Sequence, residues 1–343
     1  MISCADKKFH LFATISFGMM IFLSIFVASA AAPLSGTRGE VFTDPSYIMP
    51  MPEQWIKKAI TYEKEAGRAD LLIVMDQDIY YTLLPIIQKF GRDNNLKIVV
   101  KEGTCGIAAG MLASKTADMG GFCCPAGKED RLPGLRFHTM GIVAKAFFVN
   151  PENPVDNIST SQLRDIYRGK IYRWSELKTS KGTPGPDWKI KAISRLHCQK
   201  RPGHWRQLLD SDKKFGPRVF EVGSIPNMIN EIAASRETIG WEVLTMQEKN
   251  KDIGKIKPIS IDGYRPNDSR ALASLKYPFY RTYNLTTWEG KGVKNPHAGK
   301  LVDYMIKEFE KLNSDKYGFV AVSRLKKAGW KFTGDELTGE PNK

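Results

Sequence analysis

Two rhythms of apolar residues alternate along this chain. Residues 70–75 (DLLIVM) are a short apolar run, the mark of a strand buried on both faces. Over residues 79–90, Leu83, Leu84, Ile87 and Phe90 recur at helical spacing and predict one buried helix face. The pattern then predicts a strand at 97–101, a helix at 107–114 and a short strand at 118–122. Ahead of this unit, Trp55, Ile56, Ala59, Ile60 and Tyr62 are spaced to predict a helix over residues 53–66, packed on the first unit. A longer apolar run, LRFHTMGIVAKAFFVN, fills residues 135–150. Beyond it a second unit is predicted, with a strand at 189–196 and a helix opening at Gly203. A closing helix carries Leu301, Val302, Met305, Ile306, Phe309 and Leu312 on one face, before a strand at 317–320. Alternating strand and helix argue for an α/β fold with parallel strands.

The first residues follow neither rhythm. Lys7 and Lys8 precede an unbroken apolar run at 11–27, and Ala28-Ser29-Ala30 supplies the small-residue cleavage pattern of a secretory signal peptide. The rival reading is a retained anchor, since the run approaches the roughly 20 residues that span a bilayer. Cleavage after residue 30 is the expectation. No cysteine directly follows the run, which argues against a lipoprotein anchor, and the mature chain is expected in the periplasm or otherwise outside the cytoplasm. Residues 33–52 form a linker rich in Pro, Ser and Gly.

At 343 residues the chain is long enough for two lobes, and its 42% hydrophobic and 26% charged residues are ordinary for a folded protein. The formal net charge of +14 drops by only one when Asp6, Lys7 and Lys8 leave with the leader. Such a charge favours anionic partners. Nucleic acid is not among the partners expected, given export and the absence of a nucleic-acid module.

Residues 150–177, NPENPVDNISTSQLRDIYRGKIYRWSEL, narrow the choice. Asn153-Pro154, Ile158-Ser159, Gln162-Leu163, Ile166-Tyr167-Arg168-Gly169 and Trp174-Ser175-Glu176-Leu177 resemble the signature of the phosphate-binding proteins that serve bacterial ABC transporters. INEIAASRETIGWEV at 229–243 and Tyr277-Pro278-Phe279-Tyr280-Arg281 are similar to further segments of that family. The resemblance covers roughly residues 69–325 and implies a periplasmic binding protein of type II: two α/β lobes, joined by two hinge crossovers, with a ligand cleft between them. It implies a signal peptide at 1–30, a linker and helix at 31–68, a discontinuous first lobe at 69–148 plus 271–343, and a second lobe at 149–270. The run at 135–150 then carries the chain out of the first lobe. Helix N-termini in such a cleft favour an anion through exposed N–H groups and the helix dipole.

The family holds phosphate on loops of Ser, Thr, Asp and Arg, and in this chain those loops are rewritten. The first is Met75-Asp76-Gln77-Asp78, with two carboxylates where hydroxyls are usual. The second is Thr104-Cys105-Gly106, and the third ends in Cys123-Cys124. In the fourth, Arg195 keeps the family's Arg position, but His197, Cys198, Lys200, Arg201 and His204 replace a Gly-Ser-Gly-Thr cradle. All these residues are candidate ligand contacts, with Lys200, Arg201 and His204 suited to an oxyanion.

Cys105, Cys123, Cys124 and Cys198, the four cysteines of the mature chain, all lie in these loops. Three readings stay open. Structural disulfides are usual for an even count in an exported protein. Ligation of a metal ion by Cys105, Cys123, Cys124, His197, Cys198 and His204 is the second, although no Cys-x-x-Cys or His-Glu-x-x-His spacing supports it. The third is a reactive thiol at a helix N-terminus, for which Cys105 is placed. His138, in an apolar run, reads as a structural strand histidine.

The reading as a whole is a monomeric, non-enzymatic solute-binding protein with no cofactor, which captures a phosphate-like or other small anion by two-lobe closure. An ABC transporter permease or a membrane sensor is the implied partner. The alternative is a metal- or thiol-dependent redox or metal-binding protein on the same scaffold. With the hydroxyl cradle gone, free phosphate is expected to bind weakly or not at all.

Overall fold

Leu71 to Val74 are wholly buried, as an unbroken apolar run requires, and form the body of β1 (Leu71–Asp76). The computed structural model describes residues 42–196, 205–312 and 314–342. β2 (Ile98–Gly103) and β3 (Met119–Phe122) lie parallel to β1 on either side. The helix Gln77–Asp93 connects β1 to β2, and the helix Cys105–Ala113 connects β2 to β3. Both are predicted elements, extended by two residues at their N-termini because Asp76 and Thr104 cap them.

The long apolar run becomes a single 15-residue strand, β4 (Leu135–Val149). From Leu135 to Ala144 it pairs antiparallel with the strand Tyr280–Trp288, which in turn pairs with β3. From Lys145 to Val149 its partner is the strand Thr238–Val243. From that strand the same sheet continues through Lys191–Ser194 and Phe220–Glu221, both parallel. β4 thus leaves one α/β lobe and enters the other without interruption. The chain returns beside it, where Phe279 O accepts the Lys145 N–H at 3.0 Å. Two lobes joined by two crossovers are the architecture that the sequence predicted.

The 150–177 segment is scaffold of the second lobe. Ser159 and Gln162 form a reciprocal capping box at the start of the helix Thr160–Tyr167. The Asn153 side chain accepts the Val155 N–H at 3.0 Å and donates to Arg236 O at 3.0 Å, which fixes the Asn-Pro turn. Trp174 is fully buried and spends its indole N–H on Glu237 O. His138 lies in β4 between Thr287 Oγ1 and Asp335, a structural histidine.

Two expected elements are corrected. The helix foreseen over 53–66 is only Glu53–Lys57, followed by an extended stretch and a short turn at Lys64–Ala66. Contacts with the lobe outcompete the helix ladder there. Thr61 N donates to Lys115 O, and the Lys115 ammonium donates to the carbonyls of Ile56 and Lys58. Tyr62 OH reaches the Asp118 carboxylate. The helix expected to open at Gly203 does not run into the described residues: 205–208 are a turn, closed by the Leu208 and Leu209 N–H groups on Trp205 O.

Gly141 sits in β4 where Tyr283 and Ala321 flank it on both sides. A Cβ there would lie 2.4 Å from Val320 O and 2.5 Å from the Phe319 ring. Gly141→Ala is therefore expected to destabilise the protein by about 1–3 kcal/mol, the usual cost of overpacking. A lower urea midpoint at unchanged slope would show it.

Candidate functional site

The loops at the carboxyl ends of β1, β2 and β3 meet at one place, where open α/β sheets bind ligands. Asp76 ends β1 and holds this junction together. One carboxylate oxygen accepts the Asp78 N–H at 2.9 Å, capping the helix Gln77–Asp93. The other accepts the Cys105 N–H at 2.9 Å, the first amide of the helix Cys105–Ala113. Thr104 completes that helix start by accepting the Ile107 N–H. Gln77 is half-buried beside the junction, and Gly106 is exposed, turned away from it.

Around this junction the polar side chains are dry. Asp78 and Arg281 are both 0% exposed, with Arg281 Nε 3.9 Å from an Asp78 carboxylate oxygen. Tyr283 OH holds the Asp78 backbone by donating to its carbonyl. From the second lobe, Arg195 follows the strand Lys191–Ser194 and donates from Nη1 to Glu242 Oε1 at 2.5 Å, both 1% exposed. The two guanidinium groups and three carboxylates sense one another across the lobe junction. Burial raises the Asp78 carboxyl well above its ordinary value, and the charges of Asp76 and Glu242 add to this against the pull of Arg195 and Arg281. Burial likewise raises Glu242, opposed by Arg195. For Arg195 burial works against the charge, but Glu242, Asp78 and Asp76 outweigh it and raise its pKa.

Three thiols stand beside this network. Cys105 Sγ is 3.4 Å from Cys123 Sγ, and Cys123 Sγ is 4.0 Å from Cys124 Sγ. A disulfide needs about 2.05 Å, so Cys123 is bonded to neither Cys105 nor Cys124; all three are buried, and the disulfide reading fails for these pairs. Arg281 Nη2 donates to Cys123 Sγ at 2.6 Å and to Cys124 Sγ at 3.3 Å. Asn284 steadies the loop by donating to Cys124 O. Burial and the neighbouring thiols raise Cys123 well above its ordinary value, with Arg281 in opposition. The hydrogen bond with Cys123 lowers Cys105, but Cys124, burial and the Asp76 charge outweigh it, and its thiol also ends well above the ordinary value.

The structure therefore gathers Asp76, Asp78, Cys105, Cys123, Cys124 and Arg195 from the sequence candidates. His197, Cys198, Lys200, Arg201 and His204 lie outside the described residues. Arg281 and Glu242 were missed as site residues. Each is a lone charge inside an otherwise apolar strand segment, YPFYRTYNL and TIGWEV, and that signal could have marked them.

Residues 61–308 match the family model described as the PBP superfamily domain. The chain belongs to that family. It is 25% identical over 269 residues to the phosphate-binding protein PstS of Bacillus subtilis, an alignment covering 77% of this chain and 84% of the relative. Similarity to the PstS of Staphylococcus saprophyticus is 23% over 278 residues, 76% of this chain and 84% of that one. A phosphate ABC transporter substrate-binding protein from Clostridium perfringens, solved with bound phosphate, superposes with a TM-score of 0.61 at 15% identity, covering 74% of this chain and 99% of the other. An ABC-type phosphate transport receptor from Vibrio cholerae gives 0.55 at 18%, with 73% and 99% covered. These structures share the fold.

Two outcomes follow from the buried charges. Glu242→Ala strands Arg195 in a dry site and is expected to cost about 3–5 kcal/mol, whereas Glu242→Leu with Arg195→Met costs less than either single change. Chemical unfolding of Glu242→Ala, Glu242→Leu, Arg195→Met and the double variant measures this. Asp78, raised in the folded state, contributes stability that is fully present below the ordinary carboxylate pKa and is lost as pH rises through the folded value. The melting temperature of Asp78→Asn minus that of the parent should therefore grow between pH 5 and pH 8; a flat difference would show that Asp78 titrates normally.

Proposed function

We infer that this protein is an exported, non-enzymatic, monomeric solute receptor that captures a small anion and delivers it to an ABC-type membrane transporter. The observation that carries this reading is the convergence of Arg195 and Arg281, one from each lobe, on the carboxyl ends of β1, β2 and β3. Guanidinium groups remain charged at any physiological pH and offer fork-shaped donors that match oxyanions. The start of the helix Cys105–Ala113 opens onto the same junction, its first amide taken by Asp76. Relatives named for phosphate binding support a receptor and do not favour a redox protein in its place.

The ligand differs from free phosphate in this reading. Three carboxylates, Asp76, Asp78 and Glu242, share the junction with the two guanidinium groups. A raised Asp78 carboxyl can donate a hydrogen bond while protonated, which suits an anion oxygen that carries no proton of its own. Arg195, Arg281, Asp78 and Glu242 are all buried, so entry of a ligand requires the lobes to part about the two crossovers.

Titration calorimetry with phosphate, sulfate, arsenate, molybdate and small carboxylates tests the reading. One of the anions other than phosphate should bind in the micromolar range, and Arg281→Gln should weaken it by at least about tenfold, the loss of one charge-assisted bond. Micromolar binding of phosphate itself would overturn the ligand assignment, and indifference of every anion to Arg195 and Arg281 substitution would overturn the site.

A further inference from the structure

We propose that Cys105, Cys123 and Cys124 form a binding site for a soft, thiophilic metal ion, Zn(II) or Cu(I), set against the guanidinium of Arg281. This site goes beyond anion capture and does not depend on it. Its basis is the meeting of three sulfurs from two separate loops, all within 4.8 Å of one another. Buried cysteines in most proteins act as small apolar fillers. These three face polar groups instead: Cys123 and Cys124 accept from Arg281, and the Cys105 amide is bound by Asp76.

Distances and chemistry agree with a soft ion. A zinc–sulfur bond of about 2.3 Å holds sulfurs roughly 3.8 Å apart in tetrahedral geometry and about 4.0 Å in trigonal. The separations of 3.4 and 4.0 Å lie close to those values, and the third pair, Cys105 and Cys124, lies within 4.8 Å. Thiolate ligands select zinc and copper(I) over magnesium or calcium. For an ion that takes a fourth donor, carboxylate oxygens of Asp76 and Asp78 lie within 4.8 Å of Cys123 Sγ.

The charge balance explains the place of Arg281. Three thiols release three protons as the ion binds; Zn(II) then forms a tris-thiolate of charge −1, and Cu(I) one of −2. The complex is itself an anion, buried at the lobe junction beside a permanent cation. Hydrogen bonds from a guanidinium to ligand sulfurs are the second-shell contacts that steady such a complex. Metal affinity must therefore fall as pH falls, with proton release on binding.

The test uses the full mature chain, reduced anaerobically, stripped with chelator and then equilibrated with Zn(II) or, separately, with buffered Cu(I). Plasma mass spectrometry should find one ion per chain with at least one of the two metals. Cobalt(II) in place of zinc should give an intense near-ultraviolet thiolate-to-metal band in the unmutated protein, a readout that needs no variant. Cys105→Ser, Cys123→Ser and Cys124→Ser should each weaken binding by more than about 100-fold, beyond the usual loss of a second-shell partner. Circular dichroism shows that these near-isosteric variants stay folded. Less than stoichiometric metal in the reduced protein, or full retention by the three folded serine variants, overturns the proposal. Anion calorimetry on the same samples reads the receptor function separately, so either can fail alone.

Discussion

One strand holds the two lobes in register, and the site exists because of it. β4 is flanked on one side by the strand that bears Arg281 and on the other by the strand that bears Glu242. Val143 stands opposite Arg281 and Ala146 opposite Glu242, only three residues apart along β4. Backbone pairing of a continuous strand leaves little freedom in such a placement. The charged side chains of two lobes are therefore brought together by main-chain hydrogen bonds before any attraction between them acts. Gly141 is part of the same constraint, since the strand Phe319–Ala321 approaches β4 too closely there for a side chain.

Given that placement, the buried charges must satisfy one another. An isolated buried ion costs several kcal/mol even after relaxation, and a pair offsets this only with good geometry. Arg195 and Glu242 meet the condition with a direct 2.5 Å bond, whereas Arg281 at 3.9 Å from Asp78 is a looser pair and turns its other nitrogen to sulfur. Asp76 meets its own demand locally, through two backbone amides at two helix starts. Such an arrangement is poor as a device for stability, since apolar residues of equal volume would do as well. Its presence at the carboxyl ends of parallel strands, where α/β folds bind ligands, gives it a functional rationale.

Much of the scaffold was legible in the sequence because scaffold and local chemistry agree there. The apolar run at 70–75 could only be a buried strand, and Ser159 and Gln162, two residues of the family resemblance, form a capping box. The segment at 53–66 was misread because its apolar spacing satisfies a helix and an extended chain pressed on a surface equally well, and Lys115 decides between them from 57 and 59 residues along the chain. Asp76, Asp78, Arg195 and three cysteines were found as departures from the family's loops. Arg281 and Glu242 were not, since each lies in a strand that reads as core. Only the pairing of those strands with β4 shows that the two charges belong to one site.

The thiols and the guanidinium groups also constrain each other's ligands. A tris-thiolate complex would carry negative charge next to Arg281 and draw on the same cation that an oxyanion needs. In a dry junction, where interactions between charges are weakly screened, two anions that share one guanidinium oppose each other. By linkage the opposition is reciprocal: a metal that lowers anion affinity must itself be held less tightly when the anion is present. Protonation works the other way, because acid keeps the thiols neutral and leaves Arg281 to the anion. With both proposed occupants the junction would be a site whose preferred occupant changes with pH and metal supply, a property that a cradle of serine and threonine hydroxyls lacks.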